Sequence, residues 1–571
     1  MRYFLLLIIS IFILQSTYSQ SYPKKYFRAP LDIPLYLSGT FGELRSNHFH
    51  SGIDIKTQGV QGKKVYAIAN GYVSRVKVSG GGYGKTIYIT HPNGYVSVYG
   101  HLKKFNDKLQ EFVINLQYEK ESYTVESFPE KDEFPVKKGD VIALSGNSGS
   151  SMGPHLHFEI REESTQYPVN PLLFESIKVK DFTRPQIKGV AIYPVDKNST
   201  INGKNDTVFF AVDGWGDKHR LKNSPDIVVS GNIAFGIWTH DLMNEINNKN
   251  GVFEISLQID SAKVFGLKMN KLSFSTTRYL NSLIDYNRYK NKSSKYVRTQ
   301  IDTNNRLFIY KDVLNNGIHY FEDTLEHKVQ FIVRDAYDNK SSLSFSIKSN
   351  DTIISHEHSR IDDTRYFEFS KKNSIEEDGL KVSFPANSFY RSFYFEFDQN
   401  ERGEDNLSKV YQLHNRFVPV QKYFTVKIEA DTNLGELLSK LYIAYSPDNK
   451  EYWYAGSKQS GEFITAKSRL LGFFTLAADT IPPKIIAINI KGKKKISGQK
   501  TIKMHISDKQ TGISSYNAYL NDEWILMEYD PKNNLLVYNY DELLKKGEND
   551  FRLVVIDELK NESEYKAKLI Y

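Results

Sequence analysis

Two histidines separated by one residue form the most chemically suggestive part of the sequence. They occur in a β-prone apolar stretch, Gly153-Pro154-His155-Leu156-His157-Phe158-Glu159. Successive side chains of a β-strand point to opposite faces, so His155 and His157 share one face while the apolar side chains point to the other. Alone, such a pair is most often two surface histidines on a half-buried strand. Residues upstream favour a functional interpretation instead.

A histidine and an aspartate four residues apart occur in the stretch Asn47-His48-Phe49-His50-Ser51-Gly52-Ile53-Asp54-Ile55. The glycine and the β-branched residues favour an extended segment in which His50, Gly52 and Asp54 face one way. We expect the missing side chain at Gly52 to leave room for something bound between the two polar residues. Neutral imidazole and carboxylate are good zinc ligands, and a catalytic zinc site keeps three protein ligands and one open position.

A further histidine, His101, ends a strand-like run at residues 94–101. The N-terminal third therefore places His50, Asp54, His101, His155 and His157 on separate segments of one β-rich unit. One metal ion does not need so many imidazoles. The surplus could transfer protons, because histidine titrates near neutral pH.

The elements that must position these side chains are short strands. Alternating runs at residues 64–69, 71–76, 85–90, 94–101 and 136–144 predict strands, and His91-Pro92-Asn93-Gly94 predicts a hairpin turn. Residues 103–135 are charged, and we expect them to form an irregular insertion that covers or flanks a cleft. A glycine- and serine-rich loop at residues 146–154 leads into the His155–His157 strand.

Three ordered motifs resemble the signature of the M23 (LytM/lysostaphin-type) zinc metallopeptidases over residues 25–175. These motifs are His50-x-x-x-Asp54, Tyr99-x-His101-Leu102 and the stretch at residues 153–159. The resemblance implies that His50, Asp54 and His157 hold one zinc ion and that His101 and His155 are the catalytic pair. It also implies a small antiparallel β-sheet domain. The zincin motif H-E-x-x-H does not occur in the sequence, which excludes that route to a zinc site.

Bulk composition limits the remaining possibilities. A chain of 571 residues predicts three or four domains, and the 40% hydrophobic and 25% charged content is that of a folded protein. The net charge of +8 is spread along the chain, which argues against nucleic acid as a partner. Cysteine is absent, which excludes disulfides, thiolate metal ligands and a cysteine nucleophile.

The N-terminus predicts export. A charged start, an apolar core at residues 4–14 and small residues at Thr17 and Ser19 indicate a signal peptide at residues 1–19. No later stretch approaches the length of a membrane span, so we expect a mature protein without a transmembrane segment. The predicted location is the periplasm or the extracellular side of the cell envelope.

The remaining two-thirds of the chain predicts further β-domains and completes an all-β fold class. Two similar sequence segments each precede a strand-rich region. They are Asp181-Phe182-Thr183-Arg184-Pro185-Gln186-Ile187 and Asp479-Thr480-Ile481-Pro482-Pro483-Lys484-Ile485. The predicted division is a peptidase domain at 20–180, an immunoglobulin-like (Ig-like) β-sandwich at 182–350, a polar linker at 351–364, a β-rich domain at 365–478 and an Ig-like β-sandwich at 481–571. Exposed aromatic residues there could bind glycan or a cell-envelope protein, although core packing accounts for most of them.

Other histidines receive less weight. We expect His91, at a turn, to be solvated, and His48 to be a neighbour of the site and not a ligand. The pair His356 and His358 lies in the polar linker without candidate partners.

The resemblance leads to one main functional hypothesis and two alternatives. The main hypothesis is an exported zinc endopeptidase that hydrolyses peptide cross-links of peptidoglycan. A non-catalytic activator or scaffold of other wall hydrolases is the first alternative, because some family members have lost metal ligands; all five positions are filled here, which disfavours it. The second alternative is a secreted peptidase that acts on proteins.

Overall fold

The computed structural model describes residues 22–351, 365–401, 403, 406–490 and 494–571. The predicted signal peptide at 1–19 and residues 352–364 of the predicted linker lie outside the described residues. We refer to residues 22–180, 182–350, 365–478 and 481–571 as the N-terminal, second, third and last units. β-Strands dominate each unit, which confirms the predicted all-β fold class.

The N-terminal unit contains one antiparallel sheet of eleven strands. Its strands are Leu37–Gly39 (β1), Ile53–Lys56 (β2), Lys64–Tyr66 (β3), Gly71–Val78 (β4), Lys85–Thr90 (β5), Tyr95–Phe105 (β6), Val125–Ser127 (β7), Pro135–Val136 (β8), Val141–Ser145 (β9), His155–Glu162 (β10) and Pro168–Val169 (β11). The central order is β1-β2-β10-β6-β5-β4-β7, so β10 lies between β2 and β6. The three strands nearest the histidine motifs are therefore neighbours in space.

The prediction that residues 103–135 are irregular is wrong. Strand β6 continues to Phe105, and Asp107–Glu119 form helix α1. The Asn106 side chain caps this helix by accepting a hydrogen bond from the Leu109 backbone N–H at 3.1 Å. Leu109 and Val113 are one turn apart and buried, so the charged residues lie on the solvent face of an amphipathic helix.

The second unit is a network of twelve hydrogen-bonded strands. They are Gln186–Pro194 (β12), Thr200–Ile201 (β13), Val208–Trp215 (β14), Lys218–Leu221 (β15), Val228–His240 (β16), Glu254–Ile259 (β17), Ala262–Lys268 (β18), Val297–Arg298 (β19), Tyr310–Lys311 (β20), Ile318–Phe321 (β21), Glu326–Arg334 (β22) and Lys340–Ser349 (β23), with short helices Leu280–Leu283 (α2) and Tyr286–Lys292 (α3). Strands β16 and β23 also pair in parallel, which closes a circuit through β12, β14 and β15.

The third unit is a β-sandwich whose two five-stranded sheets enclose one apolar core. Its strands are Tyr366–Phe367 (β24), Asn373–Glu377 (β25), Leu380–Phe384 (β26), Phe393–Tyr394 (β27), Phe397–Asn400 (β28), Val410–Leu413 (β29), Phe424–Glu429 (β30), Leu441–Ser446 (β31), Trp453–Gly456 (β32), Lys458–Ser460 (β33), Phe463–Ser468 (β34) and Gly472–Ala478 (β35). Strands β24 and β27 form a separate pair.

The last unit packs a four-stranded sheet against a five-stranded sheet around its own apolar core. Its strands are Lys484–Ala487 (β36), Lys494–Lys495 (β37), Thr501–Ser507 (β38), Ile513–Leu520 (β39), Glu523–Ile525 (β40), Met527–Asp530 (β41), Leu535–Asn539 (β42), Glu548–Asp557 (β43) and Glu562–Ile570 (β44). The Ig-like assignments and the exact domain boundaries stay predictions. Among the described residues, no helix has the length and apolar character needed to span a membrane.

Both the second and the last unit contact the N-terminal unit. The Phe49 backbone N–H donates to the Thr277 hydroxyl at 2.8 Å, next to the segment that carries the first histidine motif. Lys85 forms an ion pair with Glu528 of the last unit at 2.8 Å. The Tyr118 ring of α1 meets the Trp524 ring edge-on, with centroids 5.4 Å apart. The N-terminal unit is thus in contact with both of these units.

Candidate metal centre

Three potential ligand atoms converge on one point in the N-terminal unit. His50 Nε2 lies 3.1 Å from Asp54 Oδ1 and 3.1 Å from His157 Nδ1, and His157 Nδ1 lies 2.9 Å from Asp54 Oδ1. All three residues are buried. The group contains two nitrogen donors and one oxygen donor.

The donor set fits a zinc ion. Tetrahedral zinc with bonds of about 2.0–2.1 Å places its ligand atoms about 3.3 Å apart, close to the separations within this group. Two imidazoles and one carboxylate are typical ligands of a zinc site that keeps a position open.

Strand register brings the three residues together. Antiparallel pairing sets His157 of β10 directly opposite Asp54 of β2, and directly opposite residues share a face of the sheet. On its other side His157 pairs with Gly100 of β6, which places the next residue, His101, beside the same point. Four of the five predicted residues thus come from three adjacent strands, and His50 comes from the segment just before β2.

Gly52 serves packing and not ligand binding, contrary to our expectation. A Cβ atom at this position would lie 2.3 Å from the Phe158 carbonyl oxygen. The missing side chain therefore lets the backbone of β10 approach the turn that leads from His50 to Asp54. The close approach sets the distance between the two strands that carry the candidate ligands.

Imidazoles surround the Asp54 carboxylate. Burial alone would raise the pKa of Asp54, but His50, His155 and His157 together hold it well below its usual value. Its second oxygen, Oδ2, accepts a hydrogen bond from Arg45 Nη2 at 3.1 Å. The carboxylate therefore remains ionised, as a metal ligand must be.

A buried carboxylate orients His157 from behind. His157 Nε2 lies 2.8 Å from Glu159 Oε1, so Nε2 carries a proton that it donates to Glu159 and Nδ1 faces the group. Burial would lower the pKa of His157, but hydrogen bonds to Asp54 and Glu159 raise it to about 9. A metal ion at Nδ1 would take the place of the proton held there.

Glu159 is itself fixed by several partners. Arg161 Nε donates to Glu159 Oε2 at 2.6 Å, and the hydroxyls of Ser51 and Tyr83 donate to Oε1 at 2.6 and 2.5 Å. Burial would raise the pKa of Glu159, but Arg161 and His157 hold it well below its usual value. The Tyr83 ring also stacks on the His157 ring, with centroids 4.6 Å apart. The orientation of His157 is thus defined on three sides.

The remaining two histidines stand at the edge of the group and share one arrangement. His101 Nδ1 lies 2.8 Å from the Ser148 carbonyl oxygen, and His155 Nδ1 lies 2.8 Å from the Gly153 carbonyl oxygen. In each neutral ring Nδ1 therefore donates to the backbone and Nε2 is the acceptor nitrogen. The two rings are 4.7 Å apart, and His155 Nε2 lies 3.5 Å from Asp54 Oδ1.

His101 has an unusual backbone conformation. Its φ angle is +59°, in the left-handed region that non-glycine residues seldom adopt, and the pairing of β6 with β9 shifts register between Leu102 and Lys104. Strand β6 continues to Phe105, so this irregularity re-aims the His101 side chain within the strand. Burial and the nearby His157 and His155 lower the pKa of His101 to about 3, so the ring is neutral near pH 7.

An open cleft of about 1260 Å³ contains all five predicted residues. Loop 150–154 forms one rim, where the Met152 side chain is 99% exposed. Asn248, Phe274 and Thr277 of the second unit also line the cleft, so two units of the chain build it.

Sequence reasoning located the five residues that the cleft brings together but missed three residues that position them. Glu159 could have been found, because strand alternation puts it on the same face as His155 and His157. Arg45 and Tyr83 lie in turns, and no local pattern connects them to the group. His91 is not solvated as expected: it is 1% exposed and bonds to Ser97 Oγ at 2.8 Å.

Comparison with known proteins gives the family. The model of peptidase family M23 matches residues 48–117 and 124–171, and the model of the Zu5-like domain matches residues 364–479. The chain is 35% identical over 116 residues to the lipoprotein NlpD of Yersinia enterocolitica; this match covers 20% of the chain and 93% of the relative. The chain belongs to peptidase family M23.

Two further similarities concern the same region. The chain is 33% identical over 129 residues to the DD-carboxypeptidase/endopeptidase Mpg of Neisseria meningitidis serogroup B, a match that covers 23% of each protein. The solved catalytic domain of the prophage-encoded M23 protein EnpA from Enterococcus faecalis is 25% identical, with 25% of this chain and 95% of that chain covered and a TM-score of 0.19. The chain spans about a quarter of the length of the first curated relatives that it matches.

Proposed function

We propose that the chain is an exported zinc endopeptidase that hydrolyses peptide cross-links of bacterial peptidoglycan. The observation that carries this proposal is the convergence of His50 Nε2, Asp54 Oδ1 and His157 Nδ1 within 3.1 Å of one another, at the base of an open cleft. Membership of the M23 peptidase family supports peptide hydrolysis and a resident metal.

In this proposal His50, Asp54 and His157 hold the zinc ion. Bound zinc would lower the pKa of water from about 15.7 to near 7 and polarise a peptide carbonyl. The Glu159 carboxylate keeps His157 in the tautomer that presents Nδ1, and Arg45 fixes the second oxygen of Asp54.

His101 and His155 are the proposed catalytic pair. Because Nδ1 of each ring is tied to a backbone carbonyl, Nε2 is the nitrogen that can accept a proton. One ring can take the proton of the attacking water at Nε2 and return it to the departing amine, and while it holds that proton its Nε2–H can donate a hydrogen bond to the oxyanion.

The choice of substrate rests on the cleft and on the relatives. The cleft is open to solvent beside the exposed Met152, which suits a large substrate. The name of the similar Neisseria protein, DD-carboxypeptidase/endopeptidase, includes endopeptidase activity, which the proposal assigns to this chain. The predicted signal peptide would deliver the enzyme to the compartment that contains peptidoglycan. Cell-envelope proteins or glycans stay predicted partners of the later β-domains.

The proposal is tested by incubating the mature chain, from residue 20 onward, with purified peptidoglycan. We expect released peptides, identified by mass spectrometry, from the zinc-loaded protein and none after a chelator has removed the metal. His157→Ala should bind no zinc and release nothing, whereas His505→Ala, which removes an exposed histidine of the last unit, should behave as wild type.

Three outcomes would contradict parts of the proposal. Cleavage of soluble proteins without release from peptidoglycan would overturn the substrate. Stoichiometric zinc in His157→Ala would overturn the ligand assignment. A zinc-loaded protein that cleaves neither substrate but increases release by another wall hydrolase would instead favour the non-catalytic alternative.

A further inference from the structure

A second buried group of three polar residues lies at the junction of the N-terminal and second units. Asp181 precedes β12 in the connecting segment, Asp241 follows the end of β16, and Asp335 follows the end of β22. One carboxylate oxygen of each lies within 4.8 Å of the others. Their exposures are 3%, 1% and 3%. Three acidic side chains thus meet in a place that water hardly reaches.

Two of these carboxylates have oxygens without partners. Asp181 Oδ2 and Asp241 Oδ1 are buried and accept no hydrogen bond from any described residue. None of the three aspartates forms an ion pair within the described part of the chain. Burial and the neighbouring carboxylates raise the pKa of Asp241 well above its usual value and that of Asp181 to about 7. The described part of the chain therefore supplies no ion-pair partner to this cluster.

The last unit contains an equivalent group, Asp479, Asp508 and Asp557, which serves as an internal comparison. The two groups share their hydrogen-bonded frame: Asn339 Nδ2 donates to Asp335 Oδ2 and to the Asp181 carbonyl, and Asn561 Nδ2 donates to Asp557 Oδ2 and to the Asp479 carbonyl. The first aspartate of each group, Asp181 or Asp479, lies in one of the two similar sequence segments that precede the second and last units.

The two groups differ in the hydrogen-bond donors near the first two aspartates of each group. In the last unit the Thr511 hydroxyl donates to Asp479 Oδ2 at 2.8 Å, and backbone N–H groups of residues 510–512 donate to Asp508 Oδ1 at 2.8–3.0 Å. In the second unit the residues after Asp241 are Leu242 and Met243, and Met243 instead joins the apolar core of the N-terminal unit. In the second unit Asp181 Oδ1 and both oxygens of Asp335 accept hydrogen bonds, but Asp181 Oδ2 and Asp241 Oδ1 have no donor among the described residues.

We propose that Asp181, Asp241 and Asp335 bind a calcium ion at this junction. The donors are all oxygens, which hard divalent cations prefer, and separations within 4.8 Å are compatible with Ca–O distances of about 2.3–2.6 Å. Magnesium retains several waters in a strict octahedron at about 2.0–2.1 Å, which a site of 1–3% exposure does not favour. A cation among the three carboxylates would supply the positive partner that the buried Asp181 and Asp241 side chains lack.

The site has a mechanical link to the metal cleft. Asp241 and Asn250 pair through two backbone hydrogen bonds of 2.9 Å and close the base of the segment 242–250. Within this segment Asn248 lines the cleft that contains the five predicted residues. At the end of the segment, Gly251 bonds to the Thr40 hydroxyl of the N-terminal unit. Calcium at Asp241 would fix the base of the segment and with it one wall of the cleft.

The test is a calorimetric titration of calcium chloride into the zinc-saturated mature chain, which measures binding independently of any peptidase activity. We expect one calcium ion per chain, bound with a dissociation constant in the millimolar range or below and removable by a calcium chelator. Asp241→Asn should weaken binding at least tenfold, because it removes one charge from the site. Calcium removal should also speed proteolytic cleavage within residues 242–250.

The matched control is Asp557→Asn, the same substitution at the last-unit group, which should leave calcium binding unchanged. No saturable binding by wild type at millimolar calcium would overturn the proposal, as would wild-type affinity in Asp241→Asn or selective loss of binding in Asp557→Asn. Magnesium that binds as tightly as calcium would overturn the identity of the ion. If Asp241→Asn does not fold, the wild-type titration and Asp335→Asn decide the question.

Discussion

The cleft group and the junction group each contain three buried side chains, and one short segment connects them. The pKa of an aspartate is shifted in opposite directions in the two groups. In the cleft, Asp54 is surrounded by imidazoles, and its pKa is held well below the usual value. At the junction, Asp241 faces two further carboxylates, and burial raises its pKa well above the usual value. Both aspartates are at least nine-tenths buried. Burial raises the pKa at both sites; the imidazoles around Asp54 reverse that shift, whereas the carboxylates around Asp241 add to it.

The comparison explains why the two sites suit different cations. Nitrogen donors are strong ligands for zinc, and a single carboxylate among them keeps the charge of the site low. Three carboxylates without a protein cation form a site that is stable in its ionised form when a doubly charged ion is bound. The same segment, residues 242–250, begins at one site and borders the other.

The largest effect is expected from Asp54→Asn. The amide removes the negative charge at the centre of the cleft group while it preserves the shape of the side chain. We expect zinc content to fall below stoichiometry and peptide release to fall by at least about 10³-fold. Metal analysis and turnover measurements on the same preparation check both. Retained zinc with full activity would show that Asp54 is not a ligand.

His101→Ala should separate chemistry from metal binding. His101 contacts the group only at its edge, and its Nδ1 is tied to Ser148, so zinc content should remain at the wild-type level. Turnover should fall by about 10²–10⁴-fold, the usual contribution of a general acid or base. Loss of zinc in this variant would place His101 among the ligands and would break the proposed division of roles.

Glu159→Gln should have an intermediate effect. The amide accepts a weaker hydrogen bond from His157 Nε2 and leaves Arg161 without its buried carboxylate partner. We expect zinc affinity to fall by about 10–100-fold, as is typical when the partner of a metal-bound imidazole is changed. Competition with a zinc-binding dye measures this affinity. An unchanged affinity would mean that Glu159 supports folding and not the metal.

The sequence predicted the cleft residues because their information is local. His50 and Asp54 are four residues apart, and His155 and His157 are two apart, so strand geometry alone puts each pair on one face. The position of His101 at the end of a strand run also follows from alternation. Helix α1 was missed although its signals are local too: an Asn106 cap and apolar residues at helical spacing lie among many charges.

The features that could not be predicted depend on contacts between distant segments. Tyr83 reaches His157 only because the glycine-rich turn folds over the sheet. Gly52 was expected to make room for a ligand, but the partner that fills the space is the carbonyl of Phe158 from another strand. The two aspartate groups depend even more on distant contacts. Two similar sequence segments contain Asp181 and Asp479, but no local pattern shows which group has carboxylate oxygens without hydrogen-bond donors.

The smallest effect is expected from Asp241→Asn in calcium-free protein. This substitution should stabilise the fold, whereas Asp54→Asn should impair the cleft group. Replacing a buried carboxylate that faces like charges removes an unfavourable interaction, so the free energy of unfolding should rise by about 1 kcal/mol. Because the folded-state pKa of Asp241 is raised, the penalty exists only above the unfolded pKa of about 4, and the gain should vanish below that pH. With saturating calcium the order should reverse, because wild type gains the binding free energy that the variant loses.

Urea unfolding at pH 7 with and without calcium checks this reversal. Asp557→Asn, in the last-unit group, should keep the calcium stabilisation of wild type. It should be destabilised relative to wild type by the same amount in both conditions, since it leaves the N–H groups of Leu559 and Asn561 with a weaker acceptor. If Asp241→Asn and Asp557→Asn respond alike, the two aspartate groups are equivalent, and the donors around Asp479 and Asp508 do not make the difference that the structure assigns to them.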